Sequence, residues 1–126
     1  MRYEPKENAL QRIKDAGEFI DSAEDNLAKG RFKAAIMNAG DAVIAANDAF
    51  TVFFIEEKAS SDHSEAIAIH KKAGMKINEN RLVILKDALD ERHLYGYRPV
   101  QASKNTAEKD VANAKKFVKW VEEKIK

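Results

Sequence analysis

The stretch FKAAIMNAGDAVIAANDAFTVFF, residues Phe32–Phe54, is the longest run in this chain with enough apolar surface to lie at the centre of a folded domain. Its apolar residues recur at steps of three and four, which places them on one face of an α-helix. They are Phe32, Ala35, Ile36, Ala39, Val43, Ala46, Ala49, Phe50 and Phe53. The many alanines favour helix and let neighbouring helices approach closely. We therefore expect this stretch to be the central helix of the fold.

Composition places the chain among globular proteins. Its 126 residues, 44% hydrophobic and 34% charged, fit one domain that spans residues 1–126. The absence of cysteine excludes disulfides and thiolate chemistry. The two prolines, five glycines and lack of an alternating β-branched run argue against a sheet. No stretch of about 18 residues lacks charges, so no membrane span is expected, and a cysteine-free chain without a signal peptide is expected in the cytoplasm.

Helical periodicity on both sides of the central stretch predicts four more helices. Gly30 is expected to adopt a left-handed cap, and the short connection around it makes the first two helices an antiparallel hairpin. The sequence pattern breaks at Ala59, Ser60, Ser61 and Asp62, and capping boxes are predicted at Asp62 with Glu65 and at Asn105 with Glu108. The predicted helices are Pro5–Lys29, Phe32–Phe54, His63–Ala73, Asn80–His93 and a last one from about Asn105 to the end of the sequence. The expected fold class is all-α, an antiparallel bundle of about five helices.

Some apolar residues lie off the predicted core stripes. Val52, Phe54 and Ile55 lie beyond the stripe of the central helix, and Trp120 lies beside that of the last helix. Because exposed aromatic and branched residues mark contact surfaces, we predict a homodimer that buries them.

Sequence signatures of common enzymes are absent, including glycine-rich phosphate loops, H-E-x-x-H and G-x-S-x-G. His63 and His70 share a helix face, but seven residues separate them by roughly 10 Å, too far to bind one metal ion within a single helix. We expect His63 to help cap the third helix and His70 to pack against the bundle. No metal and no cofactor are predicted.

The densest polar and aromatic cluster is RHLYGYR, residues 92–98, at the end of the predicted fourth helix. Cations are favoured near a helix C-terminus, so the cluster can be purely structural. Alternatively, arginine supplies a fork for phosphate oxygens and tyrosine a stacking face. A formal net charge of +1 adds no overall field that attracts nucleic acid. The candidate ligand-binding residues are Arg92, His93, Tyr95, Tyr97 and Arg98.

Three segments of the chain carry a family resemblance. They are the hairpin AEDNLAKGRFKAAIMNAGDAVIAANDAF, the histidine that opens the predicted third helix in DHSEAIAIH, and a tyrosine-bearing turn before the final helix AEKDVANAKKFVKWVEEKI. Together they resemble the HEPN domain. The strongest part is the pattern A-x-x-x-L-x-x-G-x-x-x-x-A at Ala23, Leu27, Gly30 and Ala35, since its glycine and small residues set the hairpin geometry. The resemblance implies an all-α domain that commonly dimerises. It also implies membership of a family that includes both metal-independent ribonucleases and proteins without demonstrated catalysis.

Active members of that family resemble toxins of toxin-antitoxin pairs and carry an arginine, four to six residues, then a histidine. Aligning Arg92 with that arginine puts Tyr97 at the histidine position, and aligning the Gly-Tyr pair puts Tyr95 there. A phenol transfers protons poorly near neutral pH. His93 is adjacent to Arg92 and therefore points about 100° away around the helix. No catalytic residue is assigned.

The sequence thus predicts a non-catalytic HEPN-type domain that binds a nucleotide, a nucleic acid or a partner protein. The resemblance suggests a nucleotidyltransferase-like protein as the partner. The alternative is a divergent metal-independent ribonuclease toxin that uses His93 or Tyr95 with Arg92 or Arg98.

Overall fold

The computed structural model describes residues 1–60 and 62–126, so the break expected at Ser61 lies outside the described residues. Five α-helices account for most of these residues, which confirms the all-α bundle. They are α1 (Ala9–Ala28), α2 (Phe32–Ile55), α3 (His63–Gly74), α4 (Leu82–Tyr97) and α5 (Lys104–Lys124), with a 3-10 turn at Lys6–Asn8 and two short strands, β1 (Arg2–Tyr3) and β2 (Glu57–Lys58). Within these ranges, none of the helices is long and apolar enough to cross a membrane.

The first two helices form the predicted hairpin. Gly30 has a φ of 75°, the left-handed conformation expected at a helix end. The side chains of Asn26 and Asn38 meet across the hairpin at 2.7 Å. Arg12, near the other end of α1, lies beside Asp48 of α2. The two helices therefore run in opposite directions.

Helix α2 is the centre of the bundle and packs against each of the other four helices. The alanines of its predicted stripe are buried, namely Ala35, Ala39, Ala46 and Ala49. Phe50 is also fully buried, and its ring centroid lies 4.8 Å from that of Trp120 and 5.1 Å from that of His70. Small side chains on α2 thus allow close helix approach, and the rings fill the space at its C-terminal end.

The N-terminal segment differs from the prediction in two ways. Pro5 is extended and precedes a 3-10 turn, so α1 begins at Ala9 rather than at Pro5. The composition argued against a sheet, yet β1 pairs with β2 in antiparallel register. So short a pair needs no β-branched pattern because the rest of the fold anchors it. The hydroxyl of Tyr3 donates to the side-chain carboxylate of Glu56 at 3.2 Å, and the backbone N–H of Glu4 donates to the carbonyl oxygen of Glu56.

The predicted end of the fourth helix at His93 is wrong. Helix α4 continues through Gly96 to Tyr97, and the chain becomes extended at Arg98. Arg98 precedes a proline, which disfavours helical backbone at that residue alone. The tyrosine-bearing segment is therefore the last turn of a helix and not a loop.

Two helix starts are set by side-chain caps. Asp62 caps α3 as predicted and accepts a hydrogen bond from the N–H of Ser64 at 2.8 Å. The capping role expected of His63 is therefore wrong. The predicted capping box is incomplete, because Glu65 accepts from the backbone N–H of Ser60 at 3.1 Å instead of from that of Asp62. Helix α5 is capped by Ser103 rather than Asn105, because the Ser103 hydroxyl accepts from the N–H of Thr106 at 3.1 Å.

The surplus apolar surface predicted from the sequence is largely internal. Trp120 is 7% exposed and its indole N–H donates to Glu79 at 3.2 Å. Val52 is fully buried, whereas Phe54 and Ile55 are half-buried against the same core. The prediction is wrong for Trp120 and Val52 because both are buried within the single chain, Trp120 against Phe50 of α2 and His70 of α3.

His70 packs inside the bundle as predicted, where it is fully buried. Its Nε2 accepts a hydrogen bond from the backbone N–H of Arg81 at 3.0 Å, so this nitrogen carries no proton. Its Nδ1 then donates to the side-chain oxygen of Asn47 at 2.8 Å. This neutral ring connects α2, α3 and the start of α4. Burial, with a smaller contribution from the Arg81 charge, lowers the pKa of His70 to about 4.

We expect His70 to make the fold sensitive to acid. Its pKa is lower in the folded chain than the ordinary imidazole value, so its contribution to stability is complete above about pH 6.5 and is lost as the pH falls towards 4. As the pH falls over that range, the free energy of unfolding should decrease by about 3 kcal/mol more in wild type than in His70→Gln. Urea unfolding at several pH values measures it, with His93→Gln as control. Equal pH dependence in all three proteins would contradict this assignment.

Candidate functional site

A groove of about 950 Å³ lies between α2, α3, α4 and the N-terminal segment. Apolar side chains of Ile44, Ala66, Leu85 and Leu89 form part of its lining. Its charged side chains are of both signs, namely Arg2, Lys58 and Arg92 with Asp41, Asp48 and Asp62. Because neither sign predominates, the groove suits a ligand that carries an anionic group and hydrogen-bond donors rather than a plain polyanion.

Arg92 of α4 lies across the backbone of α2. A Cβ at Gly40 would stand 2.8 Å from the Cβ of Arg92 and 2.9 Å from its Cδ, closer than such atoms approach. The glycine therefore makes room for the arginine stem. The Nε of Arg92 donates to Asp41 at 2.6 Å, so both the aliphatic part and the guanidinium of this side chain are held in place.

The contact with Asp41 uses only part of the hydrogen-bonding capacity of Arg92. A guanidinium has five N–H donors, and Nε supplies one. Among the described residues, Asp41 is the one ion-pair partner of Arg92, and the side chain is half-buried. The two terminal nitrogens can therefore bind an oxyanion in the bidentate geometry that arginine favours.

Three aromatic rings form a row along the same groove. The ring centroids of His93 and Tyr97 lie 4.8 Å apart, since these residues are four apart on α4. His63, the first residue of α3, meets His93 edge to face at 5.9 Å. His93 and Tyr97 are exposed. The row offers ring faces on which a planar base can stack.

The structure brings together three of the five predicted ligand-binding residues. Arg92, His93 and Tyr97 line the groove, although His93 was expected to point away from Arg92. Tyr95 packs against the core, and Arg98 is an exposed residue just beyond α4, outside the groove lining. Arg92 and His93 both line the groove because they follow Leu85 and Leu89 at steps of three and four residues and so belong to one side of α4.

Asp48 supplies a buried carboxylate on the α2 wall of the groove and is 8% exposed. Arg12 lies nearby, but it forms a two-pronged ion pair with Glu4 and approaches Asp48 only to 3.8 Å. Burial raises the pKa of Asp48 to about 6, against the opposing effects of Lys58 and Arg12. Asp48 is therefore a poorly compensated carboxylate that faces the groove.

Sequence reasoning missed four residues of this site, namely His63, Gly40, Asp41 and Asp48. Two signals were available in the sequence. A glycine in the middle of a long helix costs stability and indicates a close contact, and Asp41 and Asp48 are seven residues apart and so share a helix face. The partners across the groove were not visible in the sequence, because they belong to other helices.

Replacing Gly40 by alanine should destabilise the fold. The added methyl would clash with the stem of Arg92, so the cost of overpacking, about 1 to 3 kcal/mol, outweighs the gain of about 1 kcal/mol in helix propensity. Gly17→Ala is the matched control, since nothing lies within 4 Å of a Cβ there and α1 should be stabilised. Thermal unfolding compares them. Equal stabilisation by both substitutions would show that Arg92 does not need the glycine.

Comparison with known proteins agrees with this architecture. No curated protein matches the sequence of the chain. The family model of the HEPN domain matches residues 9–124, which include all five helices and most of the residues that line the groove. The chain therefore belongs to the HEPN domain family.

Proposed function

We propose that this protein is a non-catalytic HEPN module that binds a nucleotide or a single-stranded RNA segment in the groove. The observation that carries the proposal is the fixed position of Arg92. Its aliphatic part lies against Gly40 and its Nε is bound to Asp41. The rings of His93 and Tyr97 lie in the same groove, 4.8 Å apart and tilted by 41° to each other. HEPN domains are associated with functions that involve nucleic acid, which agrees with this assignment.

In this proposal Arg92 binds phosphate oxygens through its terminal nitrogens. The Asp41 contact fixes the plane of the guanidinium, so less side-chain entropy is lost when the ligand binds. His93 and Tyr97 provide a stacking surface one helical turn long, which every base can use. Phosphate contact and stacking together suit a nucleotide better than a free phosphate ion.

The sequence around Arg92 favours a binding module over a ribonuclease. No arginine of the chain is followed by a histidine after four to six residues, the spacing of active HEPN ribonucleases. Family resemblance also suggests a nucleotidyltransferase-like protein as a partner, and bound nucleotide would then be shared between the two proteins.

A ribonuclease is the second candidate, and one contact favours it. His63 and His93 meet in the groove beside Arg92, which supplies two imidazoles and a cation. One imidazole can accept the proton of the RNA 2′-hydroxyl while the other protonates the leaving 5′-oxygen, and the guanidinium stabilises the phosphorane. The two histidines come from α3 and α4. This arrangement therefore does not need an arginine that is followed by a histidine after four to six residues.

Binding is tested with a short labelled single-stranded RNA and fluorescence anisotropy. We expect Arg92→Ala to weaken binding roughly tenfold or more, because it removes charge-assisted hydrogen bonds to phosphate. His93→Ala should also weaken binding through lost stacking. Lys86→Ala is the control, because this exposed lysine of α4 lies outside the groove lining. Equal effects of Arg92→Ala and Lys86→Ala would refute the proposed site.

The same RNA, incubated with and without EDTA, separates the two candidates. Intact RNA supports the binding module. Cleavage that persists in EDTA and is lost in His63→Ala, His93→Ala and Arg92→Ala would establish the ribonuclease instead.

The predicted homodimer stays a prediction. HEPN domains often dimerise, but Trp120 and Val52, which suggested the interface, belong to the core of the single chain. We expect sedimentation equilibrium at micromolar concentration to give twice the chain mass, with Phe54 and Ile55 as the apolar residues left for the interface. A single-chain mass would contradict the prediction.

A further inference from the structure

Asp48 has hydrogen-bonding capacity that the fold does not use. Among the described residues, no side chain or backbone N–H donates a hydrogen bond to its carboxylate oxygens, although the Thr51 hydroxyl donates to its backbone carbonyl. The ion pair of the carboxylate with Arg12 is long at 3.8 Å. Arg12 instead forms its close contacts with Glu4. Both carboxylate oxygens are therefore available as acceptors to a ligand in the groove.

An ordinary structural role does not explain this carboxylate. A well-paired carboxylate has a lowered pKa, as Glu4 has beside Arg12. Asp48 has the opposite shift because burial outweighs its cations, so its charge destabilises the folded chain near neutral pH. A group that costs stability in a groove is a strong candidate for ligand recognition.

The distance between Asp48 and Arg92 suits a single bound nucleotide. It is seven residues after Asp41, which corresponds to about 10.5 Å along α2 and nearly the same face of the helix. Asp41 marks the position of the Arg92 guanidinium. The separation is comparable to the span of a nucleotide from its phosphate to the far edge of its base.

We propose that Asp48 recognises guanine, by accepting hydrogen bonds from the N1–H and the 2-amino group of the base. This inference rests on the proposed binding of nucleotide or RNA in the groove. A guanine nucleotide would place its phosphate at Arg92, and in a longer RNA a neighbouring base would stack on His93 and Tyr97.

The choice of guanine follows from the two acceptors of a carboxylate. Guanine is the one standard base with two adjacent donors on its Watson–Crick edge. Adenine and cytosine present one amino donor beside an acceptor nitrogen, which would face the second carboxylate oxygen, and uracil presents one N–H between two carbonyls. Two parallel charge-assisted hydrogen bonds therefore favour guanine over all three.

The test is competition against the labelled RNA by single nucleotides. We expect GMP to compete roughly tenfold better than AMP, CMP or UMP, and better than IMP, which lacks only the 2-amino group. The comparison of GMP with IMP uses wild-type protein and does not depend on the folding of a variant. In Asp48→Asn the preference should shift from GMP to XMP, because an amide pairs a donor and an acceptor with the N1–H and 2-carbonyl of xanthine.

The ratio of GMP affinity to AMP affinity should also fall as the pH decreases through about 6, where Asp48 takes up a proton. The charged groups around Asp48 are Arg12 from α1, Lys58 from β2 and Glu4 from the N-terminal segment. His63, His93, Arg92, Arg2 and the carboxylates Asp41 and Asp62 share the groove, and their effect on phosphate binding cancels in the ratio.

The outcomes separate the two proposals. Equal affinity for all nucleotides, weakened by Arg92→Ala, would overturn guanine recognition and leave the binding module intact. No competition by any nucleotide, together with no RNA binding, would overturn both. A preference for GMP that persists unchanged in correctly folded Asp48→Asn would assign recognition to another residue and refute the role of Asp48.

Discussion

Close packing around α2 is the constraint on which the rest of the structure depends. A helix surrounded by four others has little room for large side chains along most of its length, and α2 meets this with alanines and Gly40. Large rings occur where its C-terminal end meets α3 and α5, around Phe50. The volume of the α2 residues thus decides how closely each neighbouring helix can approach.

The polar residues of α2 direct its neighbours as much as the apolar ones do. Asp41 holds Arg92 of α4, and Asn47 holds His70 of α3, which in turn bonds the backbone at Arg81. Buried polar groups of this kind are costly unless they are satisfied, so each pairing specifies one arrangement of the helices. The groove lies between these two pairings, and its shape follows from the packing of α3 and α4 on α2.

Two features of α2 oppose stability, and both lie beside the groove. A glycine in mid-helix lowers helix propensity, and Gly40 is retained where the stem of Arg92 needs the space. A buried carboxylate that lacks a hydrogen-bond donor raises the energy of the folded chain, and among residues 1–60 and 62–126 none donates to the carboxylate of Asp48 on the groove wall. Proteins accept costs of this type at sites where function requires them.

The sequence by itself determined the fold class, the hairpin and the central helix, because the three-to-four residue spacing in α2 and the glycine at position 30 are local signals. It also singled out the local cluster of Arg92, His93 and Tyr97, which line the groove. The tertiary structure alone decided that Trp120 is internal and that His63 joins His93. These facts depend on contacts between residues far apart in the chain. Such contacts are set by how the helices pack, which no local pattern of residue types encodes.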